Sequence, residues 1–302
     1  LGAGIAGAAT ARAFSRRGVE TVVLDAAPAL GGGASGNPAG LVMPRLDREG
    51  PLREVFLAAY LEAIRTYQAL GGDVFTACGA EQRAEARNAE ALADLLNDPP
   101  LPEDWLCAAN GAALHVRAGV LRPGEVLRAF LRGATLLLDA PVAALERAGE
   151  GWVLRAPDAR ALLKADAVVL ACGAALKQFE PASFLPIALS RGQIEWGAGA
   201  APERAITQSN YLAPFDGGVL FGATFDKYGP PASRRPEPNS QNAAQAGGPS
   251  AVHNDADSRA RNLEALARLA PRIAASVDPK QLHSRASLRA ATPDRAPIMG
   301  AL

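Results

Sequence analysis

Three glycines and one acidic residue near the start of the chain have the spacing of a dinucleotide-binding loop. Gly2, Gly4 and Gly7 form the pattern G-x-G-x-x-G, and Asp25 follows the apolar run 19–24. In such loops the first glycine allows a tight turn, the second lets the backbone approach a pyrophosphate, and the third lets a helix pack closely. An acid after the second strand accepts hydrogen bonds from ribose hydroxyls. The pattern therefore predicts dinucleotide binding.

A second glycine-rich stretch, residues 31–40, narrows the choice of dinucleotide. Ser35 and Asn37 can donate hydrogen bonds to phosphate or ribityl oxygens, and Gly36 and Gly40 let the backbone come close to a ligand. An NAD-binding fold has no particular need of such a loop after its second strand. An FAD-binding fold often uses one to wrap the diphosphate and the ribityl chain. We therefore expect FAD as the cofactor.

Composition and charge limit the other chemistries. The chain has 302 residues, which is enough for one large domain and a smaller one. Its 31 basic and 31 acidic residues give no broad electrostatic footprint for nucleic acid, although a local basic patch stays possible. The three cysteines and three histidines are too dispersed to indicate a disulfide framework or a metal site. No apolar run is long enough for a membrane span, so we expect a cytoplasmic protein whose chemistry belongs to the cofactor.

The elements that must position these residues alternate between helices and short strands. Amphipathic or alanine-rich spacing predicts helices over 51–70, 81–102, 123–131 and 259–269. Short apolar runs bounded by turn residues predict strands over 135–138, 141–147, 151–156, 161–164, 165–173, 211–214, 218–224 and 283–291.

This order of elements predicts an α/β (α+β) fold. We expect a Rossmann-like FAD-binding domain and a second, substrate-binding domain with a mixed or antiparallel sheet. The expected FAD-binding domain comprises 1–45, 115–180 and 285–302, and the substrate domain comprises 46–114 and 181–284, with a mobile loop at 229–256. Because the chain starts at Leu1, directly before the glycine loop, and stops at Leu302, just after the last motif, we also expect that sequence is missing at both ends.

Four segments carry a family resemblance. The second glycine loop reads G-A-S-G-N-P-A-G-L-V-M-P, and the last segment reads R-x-x-T-x-D-x-x-P-x-x-G. In motif order the segments are Gly33–Pro44, Arg191–Gln193, Tyr211–Pro214 and Arg289–Gly300. They resemble the FAD-dependent amine oxidases of the D-amino-acid-oxidase-like family. They are most similar to its tRNA-modifying oxidases, which take part in making 5-methylaminomethyl-2-thiouridine at the wobble position.

The resemblance implies a reaction and further contacts to FAD. In that family the flavoprotein removes the carboxymethyl group from carboxymethylaminomethyl-uridine and releases glyoxylate. A methyltransferase unit, usually fused upstream, then adds a methyl group. The backbone of Val142 is expected to hold the adenine, and Gly173 is expected to let the chain pass close to FAD.

Arginines are the candidates for orienting a substrate that carries a carboxylate, because a guanidinium can bind both carboxylate oxygens. Arg191 and Arg289 are the expected carboxylate-binding residues, and Tyr211 is expected to donate a hydrogen bond. Arg45, just after the second glycine loop, is a third possible carboxylate-binding residue.

Three other functions stay open at this point. A family member can act on a free amino acid such as glycine, sarcosine or a D-amino acid. A methyltransferase that uses S-adenosylmethionine also has a glycine loop and an acid after its second strand, but the second glycine loop and the apolar run ending at Gly173 argue against it. A flavin-binding module without catalytic activity is the third alternative.

Overall fold

A computed structural model describes residues 1–46, 50, 52–228 and 252–301. The helices are α1 Ile5–Ser15, α2 Arg53–Leu70, α3 Ala89–Asn97, α4 Pro123–Phe130, α5 Ala256–Leu269 and α6 Pro271–Ala274. The strands are β1 Val22–Leu24, β2 Gly40–Val42, β3 Phe75–Thr76, β4 Ala80–Gln82, β5 Leu106–Ala109, β6 Ala112–His115, β7 Gly119–Leu121, β8 Thr135–Leu137, β9 Ala144–Ala148, β10 Gly151–Arg155, β11 Ala161–Ala165, β12 Ala188–Gly197, β13 Ala205–Thr207, β14 Tyr211–Phe215, β15 Gly218–Gly222, β16 Asp226–Tyr228 and β17 His283–Ala291.

The glycine-loop unit is built from α1, β1 and β8. Strands β1 and β8 pair in parallel, as expected for a Rossmann-like unit. The small side chains of Ala8 and Ala11 are buried on α1 and share a core cluster with Val126 and Leu127 of α4. Burying one such valine or leucine stabilises a fold by about 1.5–3 kcal/mol. This packing fixes the N-terminus of α1 beside the carboxyl end of β1.

The largest sheet has nine strands, eight of them in the order β16-β12-β15-β14-β13-β4-β6-β5. Strands β16 and β15 pair with successive parts of one edge of β12, and the ninth strand, β17, pairs with its opposite edge. Strands β12 and β17 are antiparallel from Ala188–Ala291 to Trp196–His283, whereas β13 and β4 are parallel. The expected mixed sheet is therefore confirmed. Two three-stranded sheets are also present: β9-β10-β11, a meander of the strands predicted over 141–147, 151–156 and 161–164, and β2-β7-β3.

The two faces of this large sheet have different partners because successive side chains of a strand point to opposite sides. On the face that we call the inner face, Ile194, Ala213 and Leu220 pack with Ala39 and Val120. On the face that we call the α5 face, strand residues pack against helix α5. Members of this second cluster are Leu212, Val219, Phe221, Leu266 and Leu269. The inner face thus lies against the segment that continues the second glycine loop.

Two sequence-based assignments are wrong in part. The predicted helix over 81–102 is a strand at β4 followed by the shorter α3, because β4 pairs with both β6 and β13 and buries Ala80 completely. Of the predicted strand over 165–173, only Ala165 lies in a strand, as the last residue of β11. Within the described ranges, the backbone after it has hydrogen bonds across to one residue, Leu1, and no regular strand to pair with. The Leu1 nitrogen donates to the Val169 carbonyl oxygen at 2.6 Å, and the Ala171 nitrogen donates to the Leu1 carbonyl oxygen at 2.8 Å.

The expected loop over 229–256 falls mostly outside the described residues, which resume at residue 252. Helix α5 begins at Ala256, three residues before the predicted start, because Asp255 caps it by accepting a hydrogen bond from the Ser258 nitrogen at 2.6 Å. The division into an FAD-binding and a substrate domain stays a prediction.

Candidate functional site

The first glycine loop leaves no room for side chains at two of its three glycines. Gly2 has a φ of +101°, and a Cβ there would overlap the carbonyl oxygen of Ala171. A Cβ at Gly7 would overlap the carbonyl oxygen of Gly2. Gly4 is the N-cap of α1, and its Cβ would lie 3.2 Å from the Ser35 hydroxyl. The loop, the helix and the segment that ends at Gly173 therefore pack in direct backbone contact.

The N-terminus of α1 offers hydrogen-bond donors to an anion. Within the described part of the chain, the N–H groups of Gly4, Ala6 and Gly7 have no hydrogen-bond partner, and the Ile5 nitrogen donates to the Ser35 hydroxyl at 3.0 Å. The positive end of the helix dipole lies at the same point. Free N–H groups at the start of a helix are a general site for phosphate. The second glycine loop meets the first here, through Ser35.

Asp25 holds the glycine loop in shape. Its two carboxylate oxygens accept hydrogen bonds from the Ala3 nitrogen at 2.6 Å and the Ala27 nitrogen at 2.8 Å. A carboxylate oxygen has two acceptor positions, so both oxygens can still accept from a ribose hydroxyl. The position of Asp25 in the sequence predicts only the ribose contact, and the two hydrogen bonds to the backbone are an additional role for this carboxylate.

The second glycine loop is held by a residue that the sequence analysis missed. Arg285 of β17 donates to the Asn37 side-chain oxygen at 3.2 Å and to the Gly33 carbonyl oxygen at 2.8 Å. A Cβ at Gly36 would lie 2.5 Å from the Arg285 guanidinium and would overlap the Gly31 carbonyl oxygen. Gly36 is therefore required by contacts inside the protein. At Gly40, by contrast, a Cβ would meet open space.

Val142 and Gly173 are the two residues outside the glycine loops that are expected to contact FAD. Val142 is buried in a cluster with Leu24 and Leu154. Its backbone N–H and C=O groups have no hydrogen-bond partner among the described residues, so they are available to an adenine. Gly173 has a φ of +55° and open space where a Cβ would stand. The left-handed φ explains a glycine there, and the open space leaves room for a ligand.

Arg289 lies on the inner face of the large sheet. Its guanidinium donates to the Thr224 carbonyl oxygen at 3.1 Å and lies 5.7 Å from the centre of the Phe225 ring. A Cβ at Gly192 would lie 2.5 Å from the guanidinium carbon, so a glycine opposite makes room for it. Burial lowers the pKa of Arg289, and no carboxylate pairs with it within the described ranges. A guanidinium without an acidic partner is available to a substrate carboxylate.

Tyr211 belongs to the same region of the inner face. Its ring packs against the cluster that contains Ile194 and Leu220. Burial raises the pKa of Tyr211 to about 12, and the nearby positive charge of Arg289 opposes that rise. The hydroxyl therefore stays protonated at neutral pH and can donate a hydrogen bond.

Arg191, the other arginine expected to bind a carboxylate, does not lie with Arg289 and Tyr211. It is on the α5 face, where its guanidinium pairs with Asp255 at 2.6 Å and donates to the Ser258 hydroxyl at 2.9 Å. Because side chains alternate along β12, Gly192 faces Arg289 while Arg191 faces α5.

Arg45 is also engaged with the protein. It donates to the Asp294 carbonyl oxygen at 3.3 Å and lies over the Phe56 ring at 4.6 Å. It therefore joins the segment after the second glycine loop to the turn after β17.

Comparison with known proteins identifies the family. The sequence model of the FAD dependent oxidoreductase family, DAO, matches residues 1–302. The chain belongs to this family. FAD is therefore its cofactor, and the expected enzyme class, an FAD-dependent oxidoreductase, is confirmed. The free N–H groups at α1, the second carboxylate positions of Asp25 and the unpaired backbone of Val142 fit the diphosphate, ribose and adenine of FAD.

Relatives within the family are more informative about the reaction. The chain is 38% identical over 320 residues to the tRNA 5-methylaminomethyl-2-thiouridine biosynthesis bifunctional protein MnmC of Caulobacter sp. strain K31, covering 100% of the chain and 48% of that protein. It is 32% identical over 329 residues to the protein of the same name from Thiobacillus denitrificans, covering 100% of the chain and 50% of that protein. The chain thus spans about half the length of the curated relatives it matches.

Solved structures show the same fold. Glycine oxidase from Geobacillus kaustophilus matches with a TM-score of 0.73 and 19% identity, over 99% of this chain and 84% of that one. Iminodiacetate oxidase from Chelativorans sp. BNC1 matches with a TM-score of 0.66 and 21% identity, over 97% and 83%. None of the helices in the described ranges has the length and apolarity needed to cross a membrane.

Proposed function

We propose that this chain is the oxidase part of a tRNA-modifying enzyme that removes the carboxymethyl group of carboxymethylaminomethyl-uridine at the wobble position. The observation that carries the proposal is Arg289: a half-buried guanidinium with no acidic partner in the described structure, on the sheet face next to the FAD loops. The choice of substrate rests on the relatives with at least 30% identity, whose name refers to tRNA 5-methylaminomethyl-2-thiouridine biosynthesis.

The substrate group has two features that the site can recognise. A carboxymethylamino group is a secondary amine one carbon away from a carboxylate. Arg289 binds the carboxylate, and the protonated Tyr211 hydroxyl donates a second hydrogen bond to it. The amine has to be unprotonated for the oxidation. Binding of the carboxylate then directs the methylene group between the amine and the carboxylate towards the cofactor.

Bound FAD supplies the two-electron oxidation of the C–N bond. This oxidation converts the C–N single bond of the substrate into the C=N bond of an imine. Hydrolysis of the imine releases glyoxylate and leaves the aminomethyl group on the uridine. The protein's part in this reaction is to bind and orient, and no acid–base residue is required for the removal of the hydride.

The edge of the site favours a large substrate. Phe225, which lies against Arg289, is 64% exposed. An exposed aromatic ring beside the carboxylate-binding residue can stack on a base that has been turned out of a single-stranded loop. In the same proposal, a fused or separate methyltransferase acts on the product, and the protein works on tRNA in the cytoplasm.

The second candidate is an oxidase of free glycine, sarcosine or a D-amino acid. Two observations favour it: the structural likeness to glycine oxidase and the zero net charge of the chain. Both candidate functions use the same carboxylate-binding residue, because glycine and sarcosine share the aminocarboxylate group. The two functions differ in the rest of the substrate, which is a tRNA in one case and a free amino acid in the other.

The test is an anaerobic mixing experiment that follows the visible absorption of bound FAD. Bleaching by tRNA carrying carboxymethylaminomethyl-uridine, with no bleaching by glycine or sarcosine, is the expected result. Bleaching by a free amino acid alone contradicts the proposal and supports the second candidate.

Arg289→Ala tests the role of the arginine. We expect a KM higher by about 10- to 100-fold with FAD retained, since hydrogen bonds to charged groups contribute about 1.5–3 kcal/mol. Arg268→Ala is the matched control, because this exposed arginine forms its salt bridge within α5, to Glu264. A variant at Arg289 that loses FAD while its KM in reconstituted enzyme is unchanged would show a structural role.

A further inference from the structure

We propose that Arg285 is the positioning residue that holds residues 31–37 in the shape that binds FAD and fixes them relative to Arg289. No motif of the sequence pointed to Arg285, and in the described structure the hydrogen bonds of its side chain all go to the second glycine loop. The inference concerns cofactor binding and so does not depend on the identity of the amine.

The guanidinium of Arg285 is bound by neutral acceptors alone. Besides Asn37 and Gly33, it donates to the carbonyl oxygens of Gly31 at 3.1 Å and Gly32 at 3.3 Å. No carboxylate pairs with it in the described part of the chain, and burial lowers its pKa. The cost of burying this charge is therefore offset by the dipoles of three carbonyl groups and one amide, all from the same loop.

The arrangement requires an arginine. The planar guanidinium has five N–H donors directed outward in one plane, whereas an ammonium has three around a single nitrogen. Three consecutive carbonyl oxygens and a side-chain oxygen four residues later surround that plane. Gly36 completes the arrangement, since a Cβ there would displace both the guanidinium and the Gly31 carbonyl.

The loop is attached to the cofactor site at its other end. The Ser35 hydroxyl accepts from the Ile5 nitrogen in the first turn of α1, where the free N–H groups would hold the diphosphate. A loop that is held by Arg285 on one side therefore places Ser35 correctly on the other. Without Arg285, the Gly31 and Gly32 carbonyl oxygens have no donor within the described residues, and the Gly33 carbonyl oxygen keeps only the Gly36 nitrogen at 3.1 Å. The ordered loop is then less favoured, because the carbonyl dipoles repel each other without the charge between them.

Arg285 also connects the cofactor to the substrate-binding residue. Arg285 and Arg289 are four residues apart on β17 and so point to the same face of the sheet. A strand is stiff over this length, and β17 is paired along its whole length with β12. The distance between the second glycine loop and the carboxylate-binding guanidinium is thus set by one strand.

The test uses the chain loaded with FAD and the variants Arg285→Gln and Arg285→Lys, with Arg83→Gln as the matched control. Arg83 donates to the Leu269 carbonyl oxygen at 2.9 Å and to the Glu81 carboxylate at 2.7 Å, and in the described structure no hydrogen bond joins it to the second glycine loop. The readouts are the Kd for FAD from flavin fluorescence, hydrogen exchange of residues 31–37 in the FAD-loaded protein, and the thermal midpoint.

We expect Arg285→Gln to weaken FAD binding by about tenfold or more, corresponding to about 1.4 kcal/mol. Exchange in residues 31–37 rises in the same variant, and Arg285→Lys restores part of the affinity. Arg83→Gln lowers the thermal midpoint but leaves the Kd for FAD unchanged.

Wild-type affinity for FAD in Arg285→Gln overturns the proposal. An equal loss of affinity in Arg83→Gln overturns it as well, because the effect is then one of general stability. If Arg285→Gln does not fold, Arg285→Lys decides alone: an unchanged Kd with unchanged exchange in the loop contradicts a positioning role. Failure of the tRNA proposal leaves these readouts unaffected, since none of them uses a substrate.

Discussion

His115 gives a pH-dependent stability that can be calculated from its surroundings. It lies in β6 with 1% of its surface exposed, and its Nε2 is 2.8 Å from the Gln82 side-chain oxygen. That oxygen can only accept, so Nε2 carries the hydrogen and Nδ1 carries the lone pair. Nδ1 has no hydrogen-bond partner among the described residues. A proton on Nδ1 has no acceptor, and burial lowers the pKa of His115 to about 4.

The sign of the effect follows from linkage. The unfolded chain binds a proton at His115 near pH 6.5, whereas the folded chain binds it near pH 4. The neutral ring contributes no penalty above pH 6.5, and stability is lost as the pH falls from 6.5 towards 4. With these two pKa values, the free energy of unfolding is lower at pH 4.5 than at pH 7.5 by about 2.5 kcal/mol from this residue alone.

Urea unfolding of the apoprotein at pH 7.5 and pH 4.5 measures this contribution. Carboxylates also lower the stability in acid, but they do so equally in the wild type and in His115→Gln. The expected result is that the stability difference between these two proteins changes by about 2.5 kcal/mol between the two pH values. His253→Gln, a change at an exposed histidine, is the matched control. A difference between wild type and His115→Gln that is the same at both pH values would refute the reasoning.

Two further substitutions test the site. Gly7→Ala forces a Cβ onto the Gly2 carbonyl oxygen, so we expect it to cost about 1–3 kcal/mol of stability and to lower the FAD content of the purified protein, measured by denaturant unfolding and by flavin absorbance. Arg191→Gln leaves Asp255 without its partner on the α5 face, so we expect a loss of about 1–3 kcal/mol in unfolding free energy with an unchanged KM; a raised KM with normal stability would show that Arg191 reaches the substrate.

The residues that depend on local backbone geometry could be predicted from the sequence. Gly2 and Gly7 are fixed by a turn and a helix that are adjacent in the chain, so their spacing alone carries the information. The bounds of β17, His283–Ala291, were also predictable, because alternation and flanking turn residues are local signals.

Contacts between distant segments could not be read from the sequence. The pairing of β4 with β13, more than a hundred residues later, outweighs the helical preference at the start of the helix predicted over 81–102. Arg285 contacts a loop some 250 residues earlier, and nothing in the sequence around either segment indicates that contact. The signal that could have found Arg285 is its spacing from Arg289, since both belong to the same face of one predicted strand.

Strand parity explains why the two candidate arginines lie apart. Arg191 and Gly192 belong to one sequence motif, but the side chains of two neighbours in a strand point to opposite faces of the sheet. Position 192 is on the inner face, where the guanidinium of Arg289 fills the space that the absent side chain leaves. A side chain at position 192 would displace Arg289, whereas Arg191 is held by Asp255 on the α5 face. In this strand pair the glycine therefore determines where Arg289 lies, and the arginine beside it stabilises the contact with α5.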